Sequence, residues 1–504
     1  MNYKLRSLVA ATLAGSLMMG FGANAMADST DDIVNALIAK GVLTEEEGAL
    51  LMKGRAGEKE AAEKKKASSV SAKFKDGLVF ESGDGEFKAK VIGRVHADYR
   101  NFDYNDNRNN TAPAGITNSI ANTNGVTDTF DMRRARVGFE AKYKEYYDVF
   151  VQANLGEGST SNSVTDIDLA YLNVAWWQPV QFRFGQFKAP MNLEKMTSSN
   201  NIDFLERSFV NSLAPNEQIG AMVHGVPMTG VTYALGAFNG NGKNVETDIR
   251  EDGKEVVGRV TANIAEIMGN KDMVLHAAAS FSEGSAAEGT AGVNGRTEAR
   301  GATFFRAPTL ANATGHYDGI DRSRVGLEGV VAYGPFKVQA EWMKQNDDFK
   351  TSTRSYDMDI KNWYAEALWT ITGEKYADIY KNGAFGGIKP TKDFDPKTFS
   401  GGAWEIGLRY SKFDASDYNT RGVEQGTTLG STDAAITTKA AGFSEANAWT
   451  AGLKFLPNSN MRFMLNYIDT NFDNVIGGAT GGIVVNNKRV NDEKAVTMRA
   501  QWMF

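Results

Sequence analysis

Residues 166–220 read DIDLAYLNVAWWQPVQFRFGQFKAPMNLEKMTSSNNIDFLERSFVNSLAPNEQIG, which indicates two strands, a tight turn and a long inserted segment. In the second strand Phe182 and Phe184 alternate with polar residues, so one face is apolar and the other polar. The segment that follows has too many charges for a core and too many large apolar side chains for a free tail. The stretch therefore predicts a pair of strands that separates lipid from water, followed by a loop that folds inward and narrows a channel.

Composition is compatible with a single large barrel. The chain has 504 residues, 52 of them glycine, and 11% are aromatic. It has no cysteine, which excludes disulfides and thiolate metal sites. Residues 1–27 carry Lys4 and Arg6, an apolar run and the sequence Ala25-Met26-Ala27, which predicts a secretory signal peptide. No later run reaches about eighteen apolar residues, so a membrane crossing would have to use strands.

The overall charge is acidic. Removal of residues 1–27 changes the formal charge from −6 to −8, because that segment carries two cations and no acid. Net charge does not decide which solutes pass a channel, since permeation depends on the few charges at the narrowest point.

Residues 28–68 differ in pattern from the rest of the chain. Apolar residues at helical spacing are followed by Thr44 and Glu47, a capping-box pair that predicts a short helix, and then by a stretch rich in Lys, Glu and Ala. We expect a short helical and charged periplasmic extension here. An oligomerising or wall-binding extension is the alternative. Residues 69–504 are predicted to form the barrel domain.

Two-residue alternation dominates the chain after residue 86 and predicts about sixteen strands. They lie near residues 87–100, 130–143, 146–155, 166–177, 181–189, 219–225, 231–238, 256–264, 273–281, 322–333, 336–345, 361–371, 403–413, 449–455, 461–471 and 495–504. The connections between them alternate between long and short, which is typical of outer-membrane barrels. Residues 373–402 break this rule, and nothing in the sequence accounts for the length of that connection. Residues 70–80 are expected to form a strand of a short hairpin at the periplasmic mouth.

The last strand and the tryptophans support the same architecture. Met498, Ala500 and Trp502 share one face of the last strand, whereas Arg499 and Gln501 share the other. Six tryptophans near strand ends or on apolar faces are expected to form the interfacial girdles: Trp176, Trp177, Trp363, Trp369, Trp404 and Trp449.

Alternation also assigns charged residues to the lumen. In the first strand Lys90, Arg94, His96, Asp98 and Arg100 share a face, and in the second strand Arg134, Arg136 and Lys142 do. An arginine facing lipid at the bilayer midplane would cost about 2–4 kcal/mol, so these faces are expected to line water. Two-residue alternation would direct the side chain of Arg133 toward lipid. We therefore expect Arg133 at the end of the strand or at a β-bulge.

Four blocks of sequence carry a family resemblance. The blocks MRRARVGFEAKY, GQFKAPMNLEKMTSSNNIDFLERSF, GAFGGIKP and GAWEIGLRYS, in this order along the chain, resemble the phosphate-selective (O/P type) porins of bacterial outer membranes. The likeness extends from about residue 70 onward. It implies an all-β fold, namely a transmembrane antiparallel β-barrel with an inward-folded constriction loop, surrounded by outer-membrane lipid. It further implies a homotrimer that passes phosphate, polyphosphate or related inorganic anions by passive diffusion.

Matching residue by residue, the resemblance implies anion-binding roles for Arg94, Arg133, Arg134, Asp168, Lys195, Ser198, Ser199 and Arg207. The chemistry suits these roles, since guanidinium, ammonium and hydroxyl donors can replace the water around an oxyanion. Accessory roles in the lumen or at its mouths are expected for Lys73, Lys75, Arg136, Arg183, Arg296, Arg300 and Arg306. The alternative is that these charges line an ordinary water-filled lumen as paired wall residues.

Two features depart from the family pattern. The family's phosphate-selective members have a closely spaced R-x-R-x-R ladder, whereas Arg296, Arg300 and Arg306 are more widely spaced. Lys73 and Lys75 match two positions of a lysine cluster that the family has near the periplasmic mouth, but the third position is occupied by Gly85. Anion preference is therefore better supported than strict phosphate selectivity.

Other functions have weaker support. The four histidines are scattered and form no H-E-x-x-H motif, so we predict no catalytic residue, metal or cofactor and no nucleic-acid partner. A general or other-solute porin is the principal alternative. An outer-membrane hydrolase or adhesin that uses His96 or the long loops is a remote one.

Overall fold

The structure is a computed structural model. It describes residues 69–74, 77–104, 118–122, 127–156, 165–240, 242–244, 254–286, 293–310, 319–350, 355–419, 436–438, 440–476, 481–485 and 488–504, together with residues 35, 38–40, 44–50, 52–53 and 60. The chain divides into two units, Met1–Ser69 and Val70–Phe504, and each is described by itself below.

Sixteen antiparallel strands close into one barrel in the second unit. In chain order they are Phe87–Asp103, Thr129–Tyr143, Tyr147–Gly156, Asp166–Trp177, Val180–Lys188, Glu217–Met228, Val231–Phe238, Glu255–Asn263, Met273–Ala286, Gly319–Tyr333, Phe336–Lys350, Ser355–Thr370, Ala403–Asp414, Ala441–Asn458, Met461–Val475 and Asp492–Met503. The last strand pairs with the first, from Lys494 opposite Asp103 to Met503 opposite Arg94. All sixteen predicted strands are present, and the predicted fold class is confirmed.

The two faces of the strands follow the predicted alternation. Phe182 and Phe184 are 38% and 49% exposed, as expected for side chains that face lipid, whereas Arg499 and Gln501 are buried. The six predicted girdle tryptophans are all exposed. Within the described part of the chain, no helix is both long and apolar enough to cross a membrane.

A β-bulge places Arg133 inside the barrel. In the pairing of the first two strands His96 lies opposite Arg134, but the next residue, Ala97, lies opposite Met132. Arg133 is the extra residue of this bulge, so its side chain turns to the same side as that of Arg134. Both arginines are buried. The bulge thus explains how Arg133 lies inside the barrel although alternation would direct it toward lipid.

The predicted strand at residues 70–80 is two strands. Val70–Phe74 and Leu78–Ser82 pair with each other, and the second also pairs with the first barrel strand. The prediction of one strand was wrong because Gly77, with φ at 131°, breaks it. The hairpin lies next to the beginning of the first barrel strand, where Leu78–Ser82 pairs with it.

The long connection at residues 371–402 packs against the inner face of the barrel. It contains a 3-10 helix, Tyr376–Ile379, and a small strand pair, Tyr380–Lys381 with Ala384–Phe385. The rings of Tyr376 and Phe385 are buried in an apolar cluster with Leu193, Val274 and Leu368. The length of the connection, which the sequence left unexplained, is the length needed to build this inner layer.

The main apolar core lies between the connections and the inner face of the barrel. Phe304, from the connection between the ninth and tenth strands, contacts Phe209, Phe413 and Phe472 at ring-centre distances of 5.6, 5.1 and 5.4 Å. This cluster also includes residues of the eleventh, twelfth and fourteenth strands. Among the described residues, the first three barrel strands contribute no side chain to it.

The first unit is described over few residues. Residues 45–50 are helical. The amide of Glu47 donates to Thr44 Oγ1 at 3.2 Å, and the amide of Thr44 donates to Glu47 Oε2 at 3.0 Å. These reciprocal bonds are the capping box that the sequence predicts. The hydrogen bonds that the amide and hydroxyl of Thr44 donate to the Glu47 carboxylate lower its pKa.

Close strand pairing at Gly138 generates a test of the fold. A Cβ at this position would lie 2.2 Å from the carbonyl oxygen of Val151 on the neighbouring strand. We expect Gly138→Ala to lower the free energy of unfolding by about 1–3 kcal/mol, because backbone must move. Gly329→Ala is the matched control, since nothing lies within 4 Å of its Cβ, and it should change stability by less than about 0.5 kcal/mol. Denaturant titration of both variants in detergent checks this, and equal stabilities would contradict it.

Candidate functional site

An inward-folded loop, residues 189–216, connects the fifth and sixth barrel strands. Its apolar side chains are buried, including Met191, Leu193, Phe204, Phe209 and Leu213. It contains a short helix, Leu193–Met196, and a 3-10 helix, Phe209–Ser212. Burial of these side chains stabilises the loop inside the barrel, although its sequence has neither strand nor helix periodicity.

Both ends of the short helix are held by charged wall residues. The carboxylate of Glu341 accepts hydrogen bonds from the amides of Leu193 and Glu194, at 3.0 and 2.8 Å. At the other end Lys188 Nζ donates to the carbonyl oxygens of Lys195 and Thr197, at 2.8 and 3.1 Å. These bonds satisfy the free backbone groups of the helix ends and fix the position of Lys195.

Ion pairs hold the rest of the loop. Lys337 Nζ lies 2.7 Å from a carboxylate oxygen of Asp203. Glu206 accepts from Arg133, with Nε and Nη2 at 2.7 and 3.2 Å, and from Arg499 Nη2 at 3.0 Å. Buried pairs of this kind are costly to break, so they specify one position for the loop.

A cavity of about 920 Å³ lies between the loop and the first six strands. All eight residues with a predicted anion-binding role line it: Arg94, Arg133, Arg134, Asp168, Lys195, Ser198, Ser199 and Arg207. Arg94 Nη1 donates to Ser199 Oγ across the cavity wall at 2.8 Å, which joins the first strand to the loop.

The cavity lining is strongly cationic. Among the described residues, it includes twelve Lys or Arg residues and three Asp or Glu residues. The cations are Lys90, Arg94, Arg133, Arg134, Arg136, Arg183, Lys188, Lys195, Arg207, Lys243, Arg300 and Lys389, and the acids are Glu140, Asp168 and Glu217. Low-dielectric walls focus the field of such a lining and favour anions inside it.

The acids of the cavity are paired with some of its cations. Asp168 lies 2.6 Å from Arg136 Nη1, and Glu217 lies 3.7 Å from Lys195 Nζ. In contrast, Nε and Nη1 of the buried Arg134 have no hydrogen-bond partner among the described residues. The wall therefore presents donor groups at Arg134 that the described part of the chain does not use.

Burial and neighbouring charges shift the pKa of groups on the inward loop and of Arg300, which lies on the connection between the ninth and tenth strands. Burial lowers the pKa of Lys195, although Glu217 opposes that shift. Burial also lowers the pKa of Arg300, to about 10. Burial raises the pKa of Glu206, but Arg133 and Arg499 outweigh it and hold the pKa well below its usual range. Glu206 is therefore an anion at neutral pH.

The accessory residues divide into two groups. Arg136, Arg183 and Arg300 line the cavity. Arg296 does not line it, because its guanidinium donates to the carbonyl oxygens of Gly301 and Arg300 in its own connection. Arg306 and Lys73 also lie away from the lining, and Lys75 falls outside the described residues.

The sequence did not indicate five of the charged lining residues, namely Glu140, Lys188, Glu217, Lys243 and Lys389. Lys188 ends the fifth strand, where alternation gives no reliable face. Lys243 follows a run of Asn and Gly that the sequence indicates only as a loop. Lys389 is part of the GAFGGIKP block, which was the one available signal for its place in the cavity.

His96 and Asp98 do not form a dyad. His96 Nε2 lies 3.1 Å from Asn200 Oδ1 on the loop. Asp98 instead pairs with Arg499, at 2.7 Å, and with Arg100, at 2.8 Å. Both residues therefore contribute to the loop and wall network.

A closed barrel of sixteen strands, with lipid-facing apolar side chains and a water-facing polar lumen narrowed by a loop, defines an outer-membrane porin. The sequence model of the family described as "Phosphate-selective porin O and P" matches residues 89–504. The chain belongs to this family, and it forms a channel in the bacterial outer membrane.

Individual proteins and solved structures are also similar to this chain. Porin O of Pseudomonas aeruginosa is 25% identical over 468 residues, which is 87% of this chain and 93% of that protein. Among solved structures, an anion-selective porin from Comamonas acidovorans has a TM-score of 0.48 at 10% identity, covering 83% of this chain and 100% of the other. The outer membrane channel DcaP of Acinetobacter baumannii has a TM-score of 0.47 at 12% identity, covering 84% and 99%.

The pair between Lys337 and Asp203 generates a test of how the loop is held. We expect Lys337→Met to destabilise the barrel by about 3–5 kcal/mol, because Asp203 loses the ammonium that lies closest to its buried carboxylate. It should also increase the noise of single-channel current. The double variant Lys337→Met with Asp203→Asn should cost less than the single one. A double variant that is no more stable than the single one would show that the pair does not act as a unit.

Proposed function

We propose that the channel is selective for anions and that phosphate or polyphosphate is its preferred solute. The cationic lining of the cavity is the observation that supports this most directly, since it stands in a chain whose overall charge is −6. Membership in the phosphate-selective porin O and P family supports the same solute class.

The geometry suits the passage of an oxyanion. Arg134, Lys195 and Arg207 face one cavity from opposite sides, the first from the wall and the other two from the loop. An anion that leaves bulk water needs donors in place of its hydration shell, and charge-assisted bonds are the strongest available. Several such donors in succession allow an anion to move on rather than remain in one deep site.

Ion selectivity is the first test of this proposal. We expect the full-length mature protein in a planar bilayer, under a gradient of potassium chloride, to give a reversal potential of the sign that anion permeation requires. The reason is the excess of lining cations over lining acids. A reversal potential that shows preference for potassium would overturn the proposed function.

Phosphate block is the second test. Inorganic phosphate should reduce chloride current in the wild-type channel, and Arg134→Gln should raise the half-blocking concentration by about tenfold, the effect of one lost charge-assisted hydrogen bond. Lys412→Gln is the matched control, because it removes one cation that pairs with Glu445 and does not line the cavity. Equal half-blocking concentrations in wild type and Arg134→Gln would contradict the proposed role of Arg134.

A channel for a wider range of solutes is the second candidate. The observation in its favour is that Arg296 and Arg306 do not line the cavity, so Arg300 alone represents the three predicted ladder residues there. Chloride current that phosphate fails to reduce at low concentration would favour this candidate.

Assembly and processing are part of the same proposal. We propose that residues 1–27 are removed, that residues 28–68 form a helical and charged periplasmic extension, and that the barrel assembles as a homotrimer in outer-membrane lipid. The capping box of Thr44 and Glu47 supports the helical character of the extension. Mass spectrometry of the mature protein in detergent measures both its first residue and its oligomeric state, and a monomer would overturn the trimer.

A further inference from the structure

Glu206 occupies an unusual position on the inward loop. Its carboxylate is surrounded by three arginines of the wall, Arg133, Arg499 and Arg100, at 2.7, 3.0 and 3.3 Å. These arginines come from the second, the last and the first strands, which are neighbours in the closed barrel. The loop thus inserts one fixed anion into a cluster of cations.

The cluster adjoins the pathway. Arg133 lines the cavity together with Arg134 and Arg300, whereas Glu206 does not line it. Arg133 uses Nε and Nη2 on Glu206, and this is the edge with which a guanidinium binds a carboxylate or phosphate through two parallel bonds. Glu206 therefore holds the edge of Arg133 that would otherwise bind a passing oxyanion.

The loop has other attachments at the same point. Arg499 Nη1 donates to the carbonyl oxygen of Leu205 at 2.6 Å, and Arg409 Nη2 donates to that of Glu206 at 3.1 Å. Arg499 and Arg100 also retain Asp98 as a partner. These attachments remain when the carboxylate of Glu206 is neutralised, so the loop backbone stays tied to the wall at this point while the charge is removed.

We propose that Glu206 is a specificity-determining residue, a tethered anion that competes with permeating oxyanions for Arg133 and so limits how tightly the channel holds them. This inference rests on the proposed anion selectivity. Neutralising Glu206 releases the bidentate edge of Arg133 and adds an anion subsite next to Arg134. The subsite would bind phosphate or another oxyanion with paired oxygens, because two parallel N–H groups match that geometry.

Phosphate block of chloride current in full-length protein tests the inference. We expect Glu206→Gln to lower the half-blocking concentration of inorganic phosphate by about tenfold, the factor for one additional charge-assisted hydrogen bond. Glu445→Gln is the matched control, because it makes the same substitution at a carboxylate outside the loop, whose partner Lys412 lies off the cavity lining. The control should not lower the half-blocking concentration.

Glu206→Asp provides a second variant in case Glu206→Gln does not fold, as judged by heat-modifiable mobility in electrophoresis. It keeps the charge and shortens the side chain, which weakens the hold on Arg133, so its half-blocking concentration should fall by less than that of Glu206→Gln. A wild-type value in every folded Glu206 variant would overturn the inference and leave anion selectivity standing. A channel that prefers potassium would overturn both, and an anion-selective channel that phosphate blocks in neither wild type nor Glu206→Gln would overturn the inference alone.

Discussion

Ion pairs between the inward loop and the barrel wall are the constraint on which the channel depends. A loop that folds into the lumen exchanges water for side-chain partners, and each carboxylate that it carries needs a cation or hydrogen-bond donors. Glu194 has Arg409 and Ser208, Asp203 has Lys337, and Glu206 has three arginines. Such pairs add little stability over apolar contacts but are costly to break, so they fix where the loop lies. The width of the channel follows from that position.

The same pairing separates the lumen into two regions of different charge. On the side of the eleventh to fourteenth strands, lumen acids are matched within the wall and by the connections, as Glu405 is by Lys454 and Tyr376. On the side of the first six strands, cations exceed acids. An acidic chain can therefore contain a cationic channel, because its acids lie where they are neutralised or exposed. Net charge describes the whole molecule and does not describe the path of a solute.

Much of the fold was predictable because a barrel in lipid imposes a strict two-residue period on its sequence. The cost of an arginine facing lipid also marked Arg133 as a position where that period had to fail. The sequence could not say that the failure was a bulge, since bulges depend on how two strands register with each other. The eight predicted site residues were found through resemblance, and alternation alone would have given only those on strands, such as Arg94 and Arg134. Lys195 and Arg207 lie on a loop without periodicity.

The features that the sequence did not predict depend on contacts between segments that are distant in sequence. Nothing local shows that residues 371–402 pack inside the barrel, or that Lys389 reaches the cavity. The connection around Arg296 is a similar case. Arg300 has φ at 61°, a conformation that costs a residue with a Cβ about 1–2 kcal/mol. Arg296 donates to the carbonyl oxygens of Arg300 and Gly301, which supports that conformation. The wide spacing of these arginines thus reflects a division of roles, in which Arg296 holds the turn and Arg300 faces the channel.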